Sequence, residues 1–176
     1  MARRAVLFLI LAGLATGCRN PFSPQADIEL SDFLGNEISV KRTTPSSRDA
    51  SFYFNNGLVQ PLFVVKNKVG VIINKVNIVY TDLAGNPVTT YRTTGGKTFR
   101  VLWRIPPRFS FATLGEGEGA TSVFQFTVLD SNVYTELETQ VGSTKALLVH
   151  ITFYGEDDNG YDVKLTGDLT MKGYDF

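Results

Sequence analysis

Two stretches of this sequence set an acid and a glycine at one spacing: Asp82-x-x-Gly85-x-x-Val88 and Asp157-x-x-Gly160-x-x-Val163. Each follows an alternating run that ends near a tyrosine. Oxygen-rich loops of this kind can hold Ca²⁺, a hard cation that takes about six to eight oxygen ligands. The candidate ligands are Asp82, Asp157 and Asp158, with Glu156 and Asn159 beside them. EF-hand spacing is not met, because counting Gly160 as loop position six puts Gly155 first and Thr166 twelfth. The other reading is turn chemistry, since Asp, Asn and Gly are what tight hairpins require. On that reading the chain needs no metal and no other cofactor.

A second cluster is basic. Between residues 91 and 111 lie Arg92, Lys97, Arg100, Arg104 and Arg108, with no acid. Phe99, Val101, Trp103 and Ile105 alternate there with Arg100, Leu102 and Arg104. Arg100, Arg104 and Arg108 are candidates for an anion-binding face, suited to lipid headgroups or an acidic protein partner. The alternative is a strand with its apolar side in the core and its arginines in water, where charge also guards a sheet edge against aggregation. Either way Arg100 and Arg104 should face solvent, and Val101 and Trp103 the core.

Catalytic constellations are scarce. His150 is the only histidine, and general-base work would need a nucleophile and an orienting acid beside it. No nucleophile-elbow motif is present, and His150 falls on the strand face opposite Leu147, Val149 and Ile151. The carboxylate pairs Glu116/Glu118 and Glu136/Glu138 have the residue type for acid–base chemistry. Glu116 and Glu118 alternate with Gly115, Gly117 and Gly119, a poor platform for a positioned site. One histidine and one cysteine also exclude a His- or Cys-built zinc centre and any internal disulfide. No enzyme activity is expected.

The one cysteine has a distinctive setting. Arg3 and Arg4 precede an apolar run from Ala5 to Leu14, broken only by Gly13, and Ala15-Thr16-Gly17 lead into Cys18. A positive start, a short apolar stretch and small residues at its end mark a secretory signal. The run is too short to span a bilayer, which takes roughly 20 apolar residues. The segment Leu14-Ala15-Thr16-Gly17-Cys18 resembles the bacterial lipobox, departing from its usual pattern at Ala15, where Leu is commonest. That resemblance implies cleavage before Cys18 and lipid on its sulfur. Each buried CH₂ contributes about 0.8 kcal/mol, so two or more acyl chains anchor stably where one does not. Inner-membrane lipoproteins usually carry Asp after the cysteine, so Arg19 implies the outer membrane of a bacterial cell envelope. Arg3-Arg4 also open a twin-arginine reading, but the rest of that motif is poor.

The elements that must position these groups read as strands. Residues 1–17 form the signal, 18–25 the lipidated cysteine and a proline-containing tether, 26–57 an N-terminal extension, and 58–176 the main domain. In the extension, Ile28, Leu30, Ile38 and Val40 around Gly35-Asn36 suggest a hairpin, and Phe52 and Phe54 a short strand. Period-2 alternation predicts strands at 62–67, 71–81, 88–93, 98–105, 122–129, 146–154 and 162–171. Residues 133–141 suggest one short helical turn, and Tyr174–Phe176 a frayed end.

About seven strands between turn signals favour an all-β, antiparallel two-sheet sandwich, with a barrel as the alternative. Val59–Val88 and Ile151–Gly160 resemble Ig-like domains of bacterial lipoproteins, without the Cys and Trp signature of antibody domains. The chain holds 17 basic and 17 acidic residues, and losing Arg3 and Arg4 leaves the mature form at −2, so no nucleic-acid partner is expected. Two functions fit: a membrane-anchored, non-catalytic module that contacts a protein partner, or a carbohydrate- or small-ligand-binding module. The second would use Tyr91, Tyr161 or Trp103 as an exposed stacking platform.

Overall fold

A computed structural model of the chain describes residues 22–34, 37–41, 57–88, 96–107, 124–139 and 145–174. These form β1 (Ile28–Leu34), β2 (Glu37–Lys41), β3 (Leu58–Val65), β4 (Val71–Thr81), β5 (Gly96–Ile105), β6 (Phe126–Thr127), α1 (Ser131–Thr139), β7 (Lys145–Asp157) and β8 (Asp162–Tyr174). The strands make two sheets, of order β1-β3-β6 and β2-β8-β7-β4-β5. Neither closes into a barrel. The chain is an all-β two-sheet sandwich, consistent with an Ig-like arrangement.

Alternation dictates which side of each strand is buried, because successive side chains point to opposite faces. On β7, Leu147, Val149, Ile151 and Phe153 are sealed inside, while Leu148, His150, Thr152 and Tyr154 face outward. β8 buries Val163, Leu169 and Met171 and exposes Asp162, Lys164, Thr166 and Asp168. β4 changes phase part-way: Val71 and Ile73 are buried, then Val76, Ile78 and Tyr80. Its register against β5 and β7 shifts between Ile73 and Lys75. A bulge at Asn74 takes up the odd residue, so both apolar sets reach one core.

The centre of the core is aromatic. Phe153 is fully buried, edge-on to Phe63 and Phe126 with ring centroids 5.1 and 5.9 Å away, and tilted against Phe33 at 6.2 Å. Gly167 lets β1 close over this centre: a Cβ there would stand 2.5 Å from Leu30 Cδ2 and 2.6 Å from Phe33 Cε2.

The hairpin expected around Gly35-Asn36 does not form. β1 pairs antiparallel with β3, whereas β2 crosses to the other sheet and pairs with β8. That last pair is parallel, the one exception to antiparallel pairing among the described strands. Phe33 on β1 and Ile38 and Val40 on β2 all enter the core between the sheets. Splitting the two strands adds one strand to the end of each sheet, which a hairpin on one sheet could not do. Residues 26–41 are thus part of the sandwich, not an extension to it.

Other elements differ in extent. β3 begins at Leu58, and β8 continues to Tyr174, which pairs with Lys41 where a frayed end was expected. The strand expected at 122–129 shrinks to Phe126–Thr127 among the described residues. The suggested helical turn is a helix of nine residues. Asp130 caps it, its Oδ1 accepting from the N–H groups of Asn132 and Val133 at 3.0 and 3.1 Å, as N-cap residues do. Val133, Tyr134 and Leu137 turn into the core. The strands expected at 88–93 and near Phe52 and Phe54 lie at or beyond the edge of the described residues.

Candidate functional site

The two Asp-x-x-Gly loops are built alike. In the first, Asp82 Oδ1 accepts from the N–H of Ala84 and of Asn86, both at 2.8 Å, and Oδ2 accepts from Asn86 Nδ2 at 2.8 Å. In the second, Asp157 Oδ1 accepts from the N–H of Asn159 and of Tyr161, both at 2.9 Å. Gly85 and Gly160 follow with φ of 84° and 79°, a left-handed conformation that favours glycine. The Asn86 amide, then the Asn86 N–H, hold the Asp82 carboxyl below its ordinary value. Its small contribution to folding is therefore present above about pH 4 and is lost as pH falls through the lowered value.

Asp157 does more than shape its own turn, since its Oδ2 accepts from the Ala26 N–H at 2.8 Å. Asp158 Oδ2 accepts from the Gly70 N–H at 3.0 Å, and its Oδ1 from Arg104 Nη2 at 3.1 Å. These carboxylates are thus engaged with N–H donors, and no group of three or more metal-ligating side chains gathers among the described residues. Asp157→Ala should cost about 2–3 kcal/mol: a fully buried donor left without an acceptor costs about 1–3, and the three N–H donors here are half-buried, so each loses only part of that. EDTA should leave the unfolding midpoint of the intact protein unchanged. A chelator-induced drop of several degrees would reinstate a cation, because a ligand bound only to the folded state raises its stability.

The wet face of the larger sheet carries a row of charge. Pairing places Lys164 opposite Tyr154, Tyr154 opposite Lys75, and Lys75 opposite Arg100, across β8, β7, β4 and β5. Lys75 Nζ sits 4.0 Å from the centre of the Tyr154 ring, a cation–π contact worth about 0.5–1 kcal/mol at an exposed site. Like charges directly opposite each other destabilise a sheet, and Lys75 and Arg100 are so placed. Lys66, Lys97, Arg104 and Lys172 each hold a carboxylate, of Glu29, Asp130, Asp158 and Glu37 respectively. Lys75, Arg100 and Lys164 hold none among the described residues. The three line an open depression of ≈ 690 Å³ with Tyr154, Glu156 and Asp162. Those two acids form their own cross-strand pair, one row closer to the β7–β8 turn. The row on the other side is neutral and polar: Thr166, Thr152, Asn77 and Thr98, with Thr98 Oγ1 donating to Asn77 Oδ1 at 2.7 Å.

Of the sequence candidates, Arg100 and Arg104 point outward as expected, and Arg108 lies outside the described residues. Trp103 faces inward but is only half-buried, stacked on Phe124 with centroids 4.9 Å apart. Tyr161 is half-buried. Cys18, Tyr91, Glu116 and Glu118 lie outside the described residues. Lys75, Lys164 and Tyr154 were not singled out by spacing. Each sits at an outward position of a correctly read strand, but only the register sets them side by side.

His150 acquires both partners that a relay would need. Its Nδ1 lies 2.7 Å from Asp168 Oδ1 and its Nε2 3.1 Å from Thr81 Oγ1. The three residues come from β7, β8 and β4. Thr81 is only 7% exposed, so little of it meets solvent. The neighbouring hollow is lined by Glu37, Leu148, Asp168, Leu169 and Thr170, not by Thr81 or His150. The chain of contacts joins three strands across the sheet.

Comparison of the chain with protein-family models, with curated proteins and with solved structures finds no match. No helix among the described residues is long and apolar enough to cross a membrane.

Proposed function

We propose that this chain is a lipid-anchored, non-catalytic module of a bacterial cell envelope, whose larger sheet binds acidic side chains of a protein partner. The anchor is Cys18: the lipobox-like segment before it supports lipidation, and Arg19 after it supports outer-membrane attachment. The observation that carries the partner reading is the Lys164–Tyr154–Lys75–Arg100 row over its open depression. Its cations stand together at a cost to the sheet, and a bound carboxylate would offset that cost. The carbohydrate reading is less well supported: of its candidate platforms Trp103 is turned inward and Tyr161 is half-buried, while Tyr91 lies outside the described residues. For Thr81, His150 and Asp168 the buried hydroxyl favours a structural role over a catalytic one.

Photo-crosslinking in the native cell tests this. A crosslinking side chain at Thr98, beside the row, should give a discrete adduct, and one at Ser31 on the opposite sheet should not. Lys75→Glu with Arg100→Glu should abolish the adduct while shifting stability by no more than about 1 kcal/mol, as surface changes usually do. An adduct that survives the charge reversal, or appears equally at Ser31, refutes the assignment of this face.

A further inference from the structure

We infer that the sandwich stands on the membrane on the end formed by its β3–β4 and β7–β8 turns, with lipid headgroups occupying that end. The inference rests on the Cys18 anchor and adds an orientation to it. Four consecutive residues, the last two of the tether and the two that follow it, are tied to that end. The Pro24 carbonyl accepts from Asn159 Nδ2 at 2.8 Å, and the Gln25 carbonyl from Asn67 Nδ2 at 2.6 Å. The Ala26 N–H donates to Asp157 Oδ2 at 2.8 Å, and the Asp27 carbonyl accepts from the Lys66 N–H at 2.7 Å.

The two turns are also tied to each other. Gly70 N–H donates to Asp158 Oδ2 at 3.0 Å, and Asp158 N–H to the Gly70 carbonyl at 2.9 Å. The tether therefore leaves the domain from a braced end, not from a loose strand terminus.

Reach decides the rest. Cys18 is six residues before Pro24, and an extended chain covers at most about 3.3–3.6 Å per residue. The clamped end thus stays within about 22 Å of the Cys18 Cα. β4 runs from this end to the other, and its eleven residues set the Asp82–Asn86 turn about 33 Å farther away. Phe22, 91% exposed and four residues past Cys18, is placed to enter the interfacial layer, where amphipathic and aromatic side chains settle. Glu156, Asp157, Asp158 and Asp162 crowd the same end, so attraction to anionic lipid does not hold it there. The clamp does. In this pose the sheet face stands upright, and the cation row that runs level across it is open to a partner alongside.

Energy transfer in vesicles tests the orientation, using the full lipidated chain. Because lipid occupies Cys18, a second cysteine is a unique label site, introduced singly as Lys68→Cys at the turn end, Thr166→Cys on the sheet face, or Ala84→Cys at the far turn. Vesicles of phosphatidylethanolamine and phosphatidylglycerol carry a headgroup acceptor. Transfer should fall from position 68 to 166 to 84, with at least about a two-fold drop between the extremes, given about 33 Å of added distance. Equal transfer from 68 and 84 overturns the pose, as does transfer from 166 matching 68, which would mean the domain lies on its sheet. Asn67→Ala with Asn159→Ala should shrink the difference between 68 and 84 while the unfolding midpoint holds. An undiminished difference removes the clamp as its cause. Failure to float with vesicles overturns the anchor itself, and the orientation with it.

Discussion

Phe153→Ala should lower the stability of the sandwich by about 3–5 kcal/mol, the usual cost of deleting a buried aromatic side chain. Most single domains hold only about 5–15 kcal/mol in total, so the variant should be partly unfolded near its working temperature. The cost is high because Phe153 meets both sheets. Phe33 and Phe63 face it from the three-stranded sheet, as does Phe126, and all three are themselves buried. A cavity at that point strands side chains from three strands, and surrounding backbone held in two hydrogen-bonded sheets has little freedom to collapse into it. Trp103→Ala should cost clearly less. Trp103 faces the same core, but it is half-buried on β5, an edge strand among the described residues, and part of its area is already in water. Denaturant unfolding of a soluble form beginning at Arg19 measures both, read as a shift in midpoint at unchanged slope. A larger loss for Trp103→Ala would place the core centre at β5, contrary to the packing described.

Cys18→Ala should abolish incorporation of labelled palmitate and leave the precursor with its leader uncut. Lipid attaches through sulfur, and alanine offers no atom for it to bond. The consequence is large because the proposed anchor would work by burying acyl carbons, at about 0.8 kcal/mol per CH₂. Fractionation and mass measurement of the purified protein read out the change. Normal labelling and a correctly trimmed, membrane-bound product in the variant would overturn the lipoprotein assignment. The stability of the sandwich should be unaffected, which separates this outcome from that of Phe153→Ala.

Two properties could be read from the sequence because they are local. The face on which a strand buries its side chains follows from a period of two, so Leu147, Val149, Ile151 and Phe153 declared themselves together, as did the outward Arg100 and Arg104. Turn geometry is equally local. Asp82 and Asp157 each reach N–H groups two and four residues ahead, and Gly85 and Gly160 supply the left-handed step; all of this sits within five residues. The phase change on β4, from Val71 and Ile73 to Val76, Ile78 and Tyr80, is just as local, but it emerged only with the structure. Such a switch within one unbroken strand requires a bulge if both sets are to share a core.

What the tertiary structure alone decided was which distant residues meet. Nothing in the residues around Gly35-Asn36 says that the chain crosses between sheets there, because a turn that closes a hairpin and one that changes sheets need the same kinds of residue. The choice was made by the core, which needed Phe33 on one side and Ile38 and Val40 on the other. The cation row has the same origin. Lys164, Lys75 and Arg100 are scattered in sequence and become neighbours only because three strand pairs adopt one register, set by the apolar residues on the opposite face. Asp168 became the partner of His150, and Asn67, Asp157 and Asn159 became the clamp on the tether, for the same reason. Alternation tells each strand which face is wet; the packing of the other face determines what stands beside what on it.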